Sequence, residues 1–180
     1  MDGLLNTMHT PGGTNVLGDV HLELLTVDHG PDLYEAVEPA RDDLTKWFIW
    51  PDRVTSAAVA MTYIADIHAC SRNRLSWLIY ERHRPVGGVQ LRMRKGGWAA
   101  SLPYWLIPSA RGRGVATKAV TVALSHAKQI GFLEAMFSIA LDNSPSRKLA
   151  ERLGFYIDGD QEDREFRGAL QRVQVYRKRL

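Results

Sequence analysis

Residues 107–118 read Ile-Pro-Ser-Ala-Arg-Gly-Arg-Gly-Val-Ala-Thr-Lys, with Gly112 and Gly114 two positions apart and Arg111, Arg113 and Lys118 around them. Glycines at this spacing remove side chains where a backbone must approach a ligand. A helix beginning just after Gly114 leaves its first N–H groups without internal partners, and its dipole adds positive potential there. The chemistry on offer is the holding of an anion by main-chain donors. Two other phosphate loops fail on spacing. A dinucleotide fingerprint needs a third glycine where this chain has Thr117, and no window supplies Gly-x-x-x-x-Gly-Lys-Ser/Thr. On the loop alone, a plain glycine-rich turn feeding a surface helix remains an equal reading.

Other candidates are fewer. Asn143-Ser144-Pro145-Ser146 is a good helix start whatever it binds. Trp47, Trp50, Tyr104 and Trp105 supply large aromatic surface, whose ordinary use is packing. Asp42, Asp43 and Asp52 near them read as a solvated acidic loop. Cys70, the single cysteine, reads as a small packed residue and not as a nucleophile. His21, His29, His68, His83 and His126 have no metal-ligand spacing, and His9 lies in a loose stretch, so no metal is expected.

The elements that must position these residues follow from hydrophobic period and turn chemistry. Residues 1–18 are rich in Gly, Pro, Thr and Asn and read as a loose arm, leaving 19–180 as a single domain. Alternation from Val20 predicts a first strand. Short helical pieces follow at 31–37 and 57–69, the latter capped by Ser56, with a turn-rich segment at 42–50 between them. Three strands at 75–81, 86–94 and 98–107, joined by short polar turns, predict an antiparallel meander. Apolar positions 115, 116, 119, 120, 123, 124, 127 and 130 predict an amphipathic helix over 115–130 closed by Gly131. A strand at 135–141, a helix at 145–153 ended by Gly154, and strands at 155–157 and 172–179 complete the chain. The charges alternating along 172–177 predict an edge strand. A strand, helix, strand segment in the middle demands a parallel pair, so the sheet must be mixed. Ligands favour openings where such strands part, which directs attention to the junction after Ile107.

Composition excludes several classes. With 180 residues, 45% hydrophobic and 24% charged, the chain suits one globular core. Its longest nearly apolar stretch, 57–64, falls far short of the ~20 residues of a membrane span. No signal-peptide pattern opens it, so a cytoplasmic location is expected. The formal charge is +3 and the sequence pI is near 9.1. The basic C-terminus, with Arg172, Arg177, Lys178 and Arg179, lacks a helix-turn-helix or aromatic platform, which argues against nucleic acid.

Arg111-x-x-Gly114-x-Ala116 is similar to the Arg/Gln-x-x-Gly-x-Gly/Ala signature of the GNAT superfamily of N-acetyltransferases. Tyr104-Trp105-Leu106-Ile107-Pro108 precedes it, and Asn143-x-x-Ser146 and Ala150-Glu151-Arg152-Leu153-Gly154-Phe155 follow. With Leu44-x-x-Trp47-x-x-Trp50, this combination resembles the branch of the RimJ and RimL ribosomal-protein N-terminal acetyltransferases, from about Val20 to Tyr176. The resemblance implies an α/β GNAT fold: a central, mixed, mostly antiparallel twisted sheet flanked by helices and splayed at the acetyl-CoA site. It implies that the N–H groups of Gly112, Arg113, Gly114, Val115 and Ala116 cradle the pyrophosphate of acetyl-CoA, with Thr117 beside them. Arg111 would set the turn and Lys118 would add charge. Leu106 and Ile107 would pair with the pantetheine arm in strand fashion, and an N–H there could polarise the thioester carbonyl. Asn143 would hydrogen-bond the pantetheine, and Ser146 would protonate the departing thiolate. Trp47, Trp50 and Tyr104 would line the acceptor side.

Two positions depart from the branch. Ser101 stands where a glutamate is usual three residues before the Tyr-Trp pair, and Arg172 replaces an aspartate near the final strand. The proton acceptor is therefore open, with Glu81 or a water relay as candidates. The implied function is acetyl transfer from acetyl-CoA to a primary amine, foremost a protein or peptide N-terminal α-amine, by direct attack in a ternary complex. The alternatives are a small-molecule amine (antibiotic or metabolite) as acceptor and a catalytically silent acyl-CoA-binding module. A homodimer is an option that the resemblance also carries.

Overall fold

The computed structural model describes residues 15–70 and 73–180. Ten strands form one sheet: β1 (Asn15–Leu17), β2 (Val20–Leu24), β3 (Arg74–Glu81), β4 (Arg84–Met93), β5 (Ala99–Ser101), β6 (Tyr104–Leu106), β7 (Glu134–Ala140), β8 (Tyr156–Ile157), β9 (Glu162–Phe166) and β10 (Ala169–Arg179). Their order is β1-β2-β3-β4-β5-β7-β10-β8, with β6 also on β4 and β9 also on β10. Among the described residues only β5 and β7 pair in parallel, as the intervening helix requires. The sheet is mixed and mostly antiparallel, as expected.

An opening in the sheet comes from a break in what the sequence predicts as one strand over 98–107. Pro103 has no N–H to give a ladder. Leu102 makes the last bond towards β7, its N–H donating to the Met136 carbonyl at 3.0 Å. Beyond it β6 stays with β4 through Gly87↔Leu106, Gly88↔Trp105 and Val89↔Tyr104 and leaves β7. Gly87 and Gly88 permit this close approach, since a Cβ on Gly87 would stand 2.3 Å from the Trp105 carbonyl oxygen. The sheet splays between β6 and β7.

Helices cover both faces. On one lie α4 (Val115–Gln129) and α5 (Ser144–Arg152). α4 buries Val115, Ala119, Val120, Ala123, Leu124 and Ala127, the stripe that its period predicts, in the main core with Leu91, Phe137, Ile139 and Leu149. On the other face α1 (Gly30–Val37), α2 (Arg41–Leu44) and α3 (Ala57–Cys70) pack a second cluster of Leu33, Val37, Leu44 and Ile64 against Leu78 and Tyr80 of β3. Ser56 caps α3, its Oγ accepting from the Val59 N–H at 3.2 Å. The 42–50 segment, expected to be turns, begins inside α2.

Three expectations are corrected. Asn15–Leu17, assigned to the loose arm, pairs antiparallel with β2; residues 1–14, His9 among them, and the side chain of Cys70 lie outside the described residues. The 172–179 strand is no edge: β10 has β7 on one side and β8 and β9 on the other. Its charges are used as pairs, Arg172 with Asp163 at 3.1 Å and Arg177 with Glu134 at 3.0 Å and with Asp158. Finally β9 was not expected at all. It forms a hairpin with β10 through Arg167 and Gly168, both at positive φ, and its sequence Glu-Asp-Arg-Glu-Phe carries no apolar alternation because that strand is mostly exposed.

Candidate active site

A cavity of about 690 Å³ occupies the splay. Its floor is β6 and β7, one end is the Arg111–Thr117 turn with the start of α4, one wall is the start of α5, and the β9–β10 hairpin and the Asp43–Phe48 segment form the rest of the rim.

The turn is built to present nitrogen. Gly112 and Gly114 take φ of 75° and 80°, a left-handed conformation that only glycine adopts without cost. Gly114 then serves as the N-cap of α4 with no side-chain cap. Among the described residues, no hydrogen bond is made by the backbone nitrogens of residues 112–117. A Cβ on either glycine would meet nothing within 4 Å. The donors are thus free, they sit at the positive end of a fifteen-residue helix, and the space before them is open. Arg111 fixes the turn from below. Its Nη2 and Nε donate to the Leu106 carbonyl at 2.9 and 3.3 Å, and Nη2 also binds the Asp43 carboxylate. That hydrogen bond, foremost, holds Asp43 below the usual carboxylate range. Lys46, Arg111, Lys148 and Arg152 outweigh Asp43 and Glu165 around the cavity, so its field favours an anion.

The open edge of β6 follows from ladder alternation. The Ile107 N–H donates to Val86 and the Pro103 carbonyl accepts from Gln90, both at 3.0 Å. Residues 103, 105 and 107 therefore face β4, and the main-chain groups of Tyr104 and Leu106 face the cleft. Of the two residues expected to pair with an extended ligand, Leu106 presents its N–H and Ile107 has spent its own.

Across the cleft, Tyr104 and Ser146 meet with their hydroxyls 2.9 Å apart. The Tyr104 ring packs edge-on against Phe137 at 6.0 Å, and burial raises its pKa. Ser146 owes its place to Asn143, the N-cap of α5, whose Oδ1 accepts from the Ser146 N–H at 3.2 Å.

The cleft gathers Leu106, Arg111, Gly112, Gly114, Val115, Ala116, Thr117, Asn143, Ser146, Tyr104 and Trp47. It does not gather Ile107, Arg113 or Trp50. The Arg113 side chain pairs with Glu81 at 2.6 Å, which also removes Glu81 from the cleft, and Lys118 pairs with Asp19 at 2.6 Å. Trp50 packs against Trp105 and Tyr63 at 5.3 and 6.0 Å. Sequence reasoning missed the hairpin's contribution, Arg164, Glu165 and Phe166. Gly168, a turn-former after the charged run 162–165, was its one signal. Arg167 donates to the Thr45 and Phe48 carbonyls at 3.1 and 3.2 Å and to Asp52 at 2.6 Å, strapping the hairpin to the opposite rim.

Comparison with known proteins agrees with this geometry. The family model for the acetyltransferase (GNAT) domain matches residues 19–156. A ribosomal-protein-serine acetyltransferase of Escherichia coli (strain K12) is 24% identical over 151 residues, covering 82% of this chain and 84% of that protein. Two solved structures share the fold at 22% identity. RimL, a ribosomal α-N-protein acetyltransferase in complex with coenzyme A, superposes with a TM-score of 0.83 over 92% of this chain and 96% of its own. The microcin C7 self-immunity acetyltransferase MccE, in complex with acetyl-CoA and AMP, gives 0.85 over 95% and 98%. With its signature turn, splayed sheet and domain match in one place, the chain belongs to the GNAT acetyltransferase family.

Proposed function

We propose that the cleft binds acetyl-CoA and passes its acetyl group to the α-amine at the N-terminus of a protein or peptide. The observation that carries this is the run of unshared main-chain donors from Gly112 to Thr117, facing open space beside the free edge of β6. The diphosphate would take those donors, and the pantetheine amides would extend the sheet along Tyr104 and Leu106. Asn143 spends its oxygen on the Ser146 N–H and keeps its amide N–H₂ to donate to a pantetheine carbonyl.

The neutral amine attacks the thioester carbonyl carbon to form the carbon–nitrogen bond, the carbon–sulfur bond breaks, the departing thiolate takes a proton from Ser146, and the Ser146 oxygen regains one from solvent. Tyr104, its pKa raised, keeps its proton at neutral pH, and in the proposed step it would donate to the Ser146 oxygen 2.9 Å away, leaving the serine proton for sulfur. The nitrogen's surplus proton needs an acceptor. Among the described residues the cleft's carboxylates are Asp43, engaged by Arg111, and Glu165, which has no ion pair. Glu165, directly or through water, takes that role. An α-amine suits such a weak arrangement, since its pKa of about 7.7–8.0 lies over two units below the ~10.4 of lysine.

The test is thiol release from acetyl-CoA with peptides carrying one free N-terminus and one internal lysine, followed by mass spectrometry. The expected product is acetylated at the terminus alone. Acetylation confined to lysine, or to small amines, would contradict the reading.

A further inference from the structure

A second cavity of about 410 Å³ opens on the sheet face opposite α4. It meets the first at the split, where Leu102, Pro103, Phe137, Ser138 and Arg164 line both. Arginine dominates its wall: Arg74, Arg92, Arg94 and Arg164. Arg74 and Arg92 lie directly opposite each other on β3 and β4, and the next residue in that cross-strand row is Ser101. Like charges so placed destabilise a sheet. Among the described residues no carboxylate pairs with Arg74, Arg92 or Arg94; Arg164 has Glu162 at 3.2 Å, and Arg92 has only the Gln90 amide oxygen at 2.8 Å. The Arg74 Nε is buried with no hydrogen-bond partner. Burial and then the charge of Arg74 weaken the hold of Arg92 on its proton, the mark of cations crowded together and partly withdrawn from water. A glutamate at position 101 would stand beside Arg92 and neutralise it; the serine present donates to the Arg92 carbonyl at 3.4 Å and supplies no charge.

Resting on the reading of the first cavity as an N-terminal acetyltransferase site, we infer that the second cavity is an acceptor subsite for carboxylates. The acceptor peptide carries Asp or Glu within its first few residues, and these seat on Arg74, Arg92, Arg94 and Arg164 while its α-amine enters the splay past Leu102 and Pro103. The bidentate geometry of guanidinium with carboxylate supplies the specificity, and the peptide's charge replaces the one that Ser101 lacks.

The experiment compares a peptide bearing acidic residues at its second to fourth positions with its Asn/Gln counterpart, on the wild-type enzyme and on Arg92→Gln and Arg74→Gln. Thiol release gives kcat/KM, and calorimetry gives the Kd of each peptide and of acetyl-CoA. The wild type should prefer the acidic peptide by at least about tenfold, the worth of one charge-assisted contact. Each variant should reduce that ratio towards one while acetyl-CoA binds as before. Equal kcat/KM for the two peptides on the wild type, or a preference that survives in both variants, overturns the inference. Binding separates its failure from that of the transferase reading. If neither peptide turns over, but the acidic one binds more tightly and loses that advantage in the variants, the subsite stands and the N-terminal reading falls. Equal binding of both peptides removes the subsite.

Discussion

At the scale of single residues, the proposed protonation of the leaving sulfur depends on a pair of hydroxyls. Ser146 is one proton transfer away from the leaving sulfur in the proposed step, and Tyr104 holds it there from a half-buried position against Phe137. Ser146→Ala should lower kcat by about 10²-fold, the low end of what general acids contribute, and leave acetyl-CoA affinity nearly intact. Tyr104→Phe keeps the ring and its packing. It acts only through Ser146, so it should reduce kcat by a smaller factor, leave the KM for acetyl-CoA almost unmoved, and add nothing in the Ser146→Ala background. Steady-state kinetics of the two single variants and the double variant check this; independent, multiplying losses would show that the hydroxyls do not work as a unit.

At the scale of elements, the turn before α4 and the β9–β10 hairpin do different work. Gly114→Ala places a Cβ in open space but at φ of 80°, a strain of about 1–2 kcal/mol. The expected result is a fall in Tm of roughly 2–8 °C for a chain of this size, and in calorimetry a loss of acetyl-CoA affinity well beyond tenfold, since the methyl would enter the proposed diphosphate site. Affinity that falls no further than the stability loss explains would make the turn a structural feature alone. The Arg167 strap is exposed, so Arg167→Ala should cost less than about 1 kcal/mol globally. Hydrogen exchange in Glu162–Phe166 should nevertheless rise markedly, and unaltered exchange would mean that the hairpin holds its place without the strap. These two elements also mark how far sequence could be read. The α4 stripe, the glycine turn and the Asn143 cap were legible because each is a local pattern: a period, a φ demand, a capping side chain. The β6 break was only half legible, as Pro103 was visible but its consequence depends on β7, thirty residues away. The hairpin was hidden because an exposed strand needs no apolar alternation, and the partners of Arg113, Lys118 and Arg167 lie 32, 99 and 115 residues distant.

At the scale of the whole molecule, one sheet is held together on one side of a split by β4 and on the other by β7 and β10, with helices on both faces and cavities that meet at the split. In the proposed reaction the co-substrate would enter beside α4 and the acceptor from the opposite face, and the two would meet where the strands part. The cavity by α4 and the arginine-lined cavity both favour anions, which fits a diphosphate at one mouth and carboxylates at the other. Everything rests on the main-chain donors at the head of α4. The most direct test is an amide NMR titration of the protein with acetyl-CoA and, separately, with acetyl-pantetheine, which lacks the diphosphate. The account predicts that the N–H signals of Gly112, Gly114, Val115 and Ala116 shift strongly with acetyl-CoA and hardly at all with acetyl-pantetheine. Signals that stay in place with acetyl-CoA, while others elsewhere move, would contradict it.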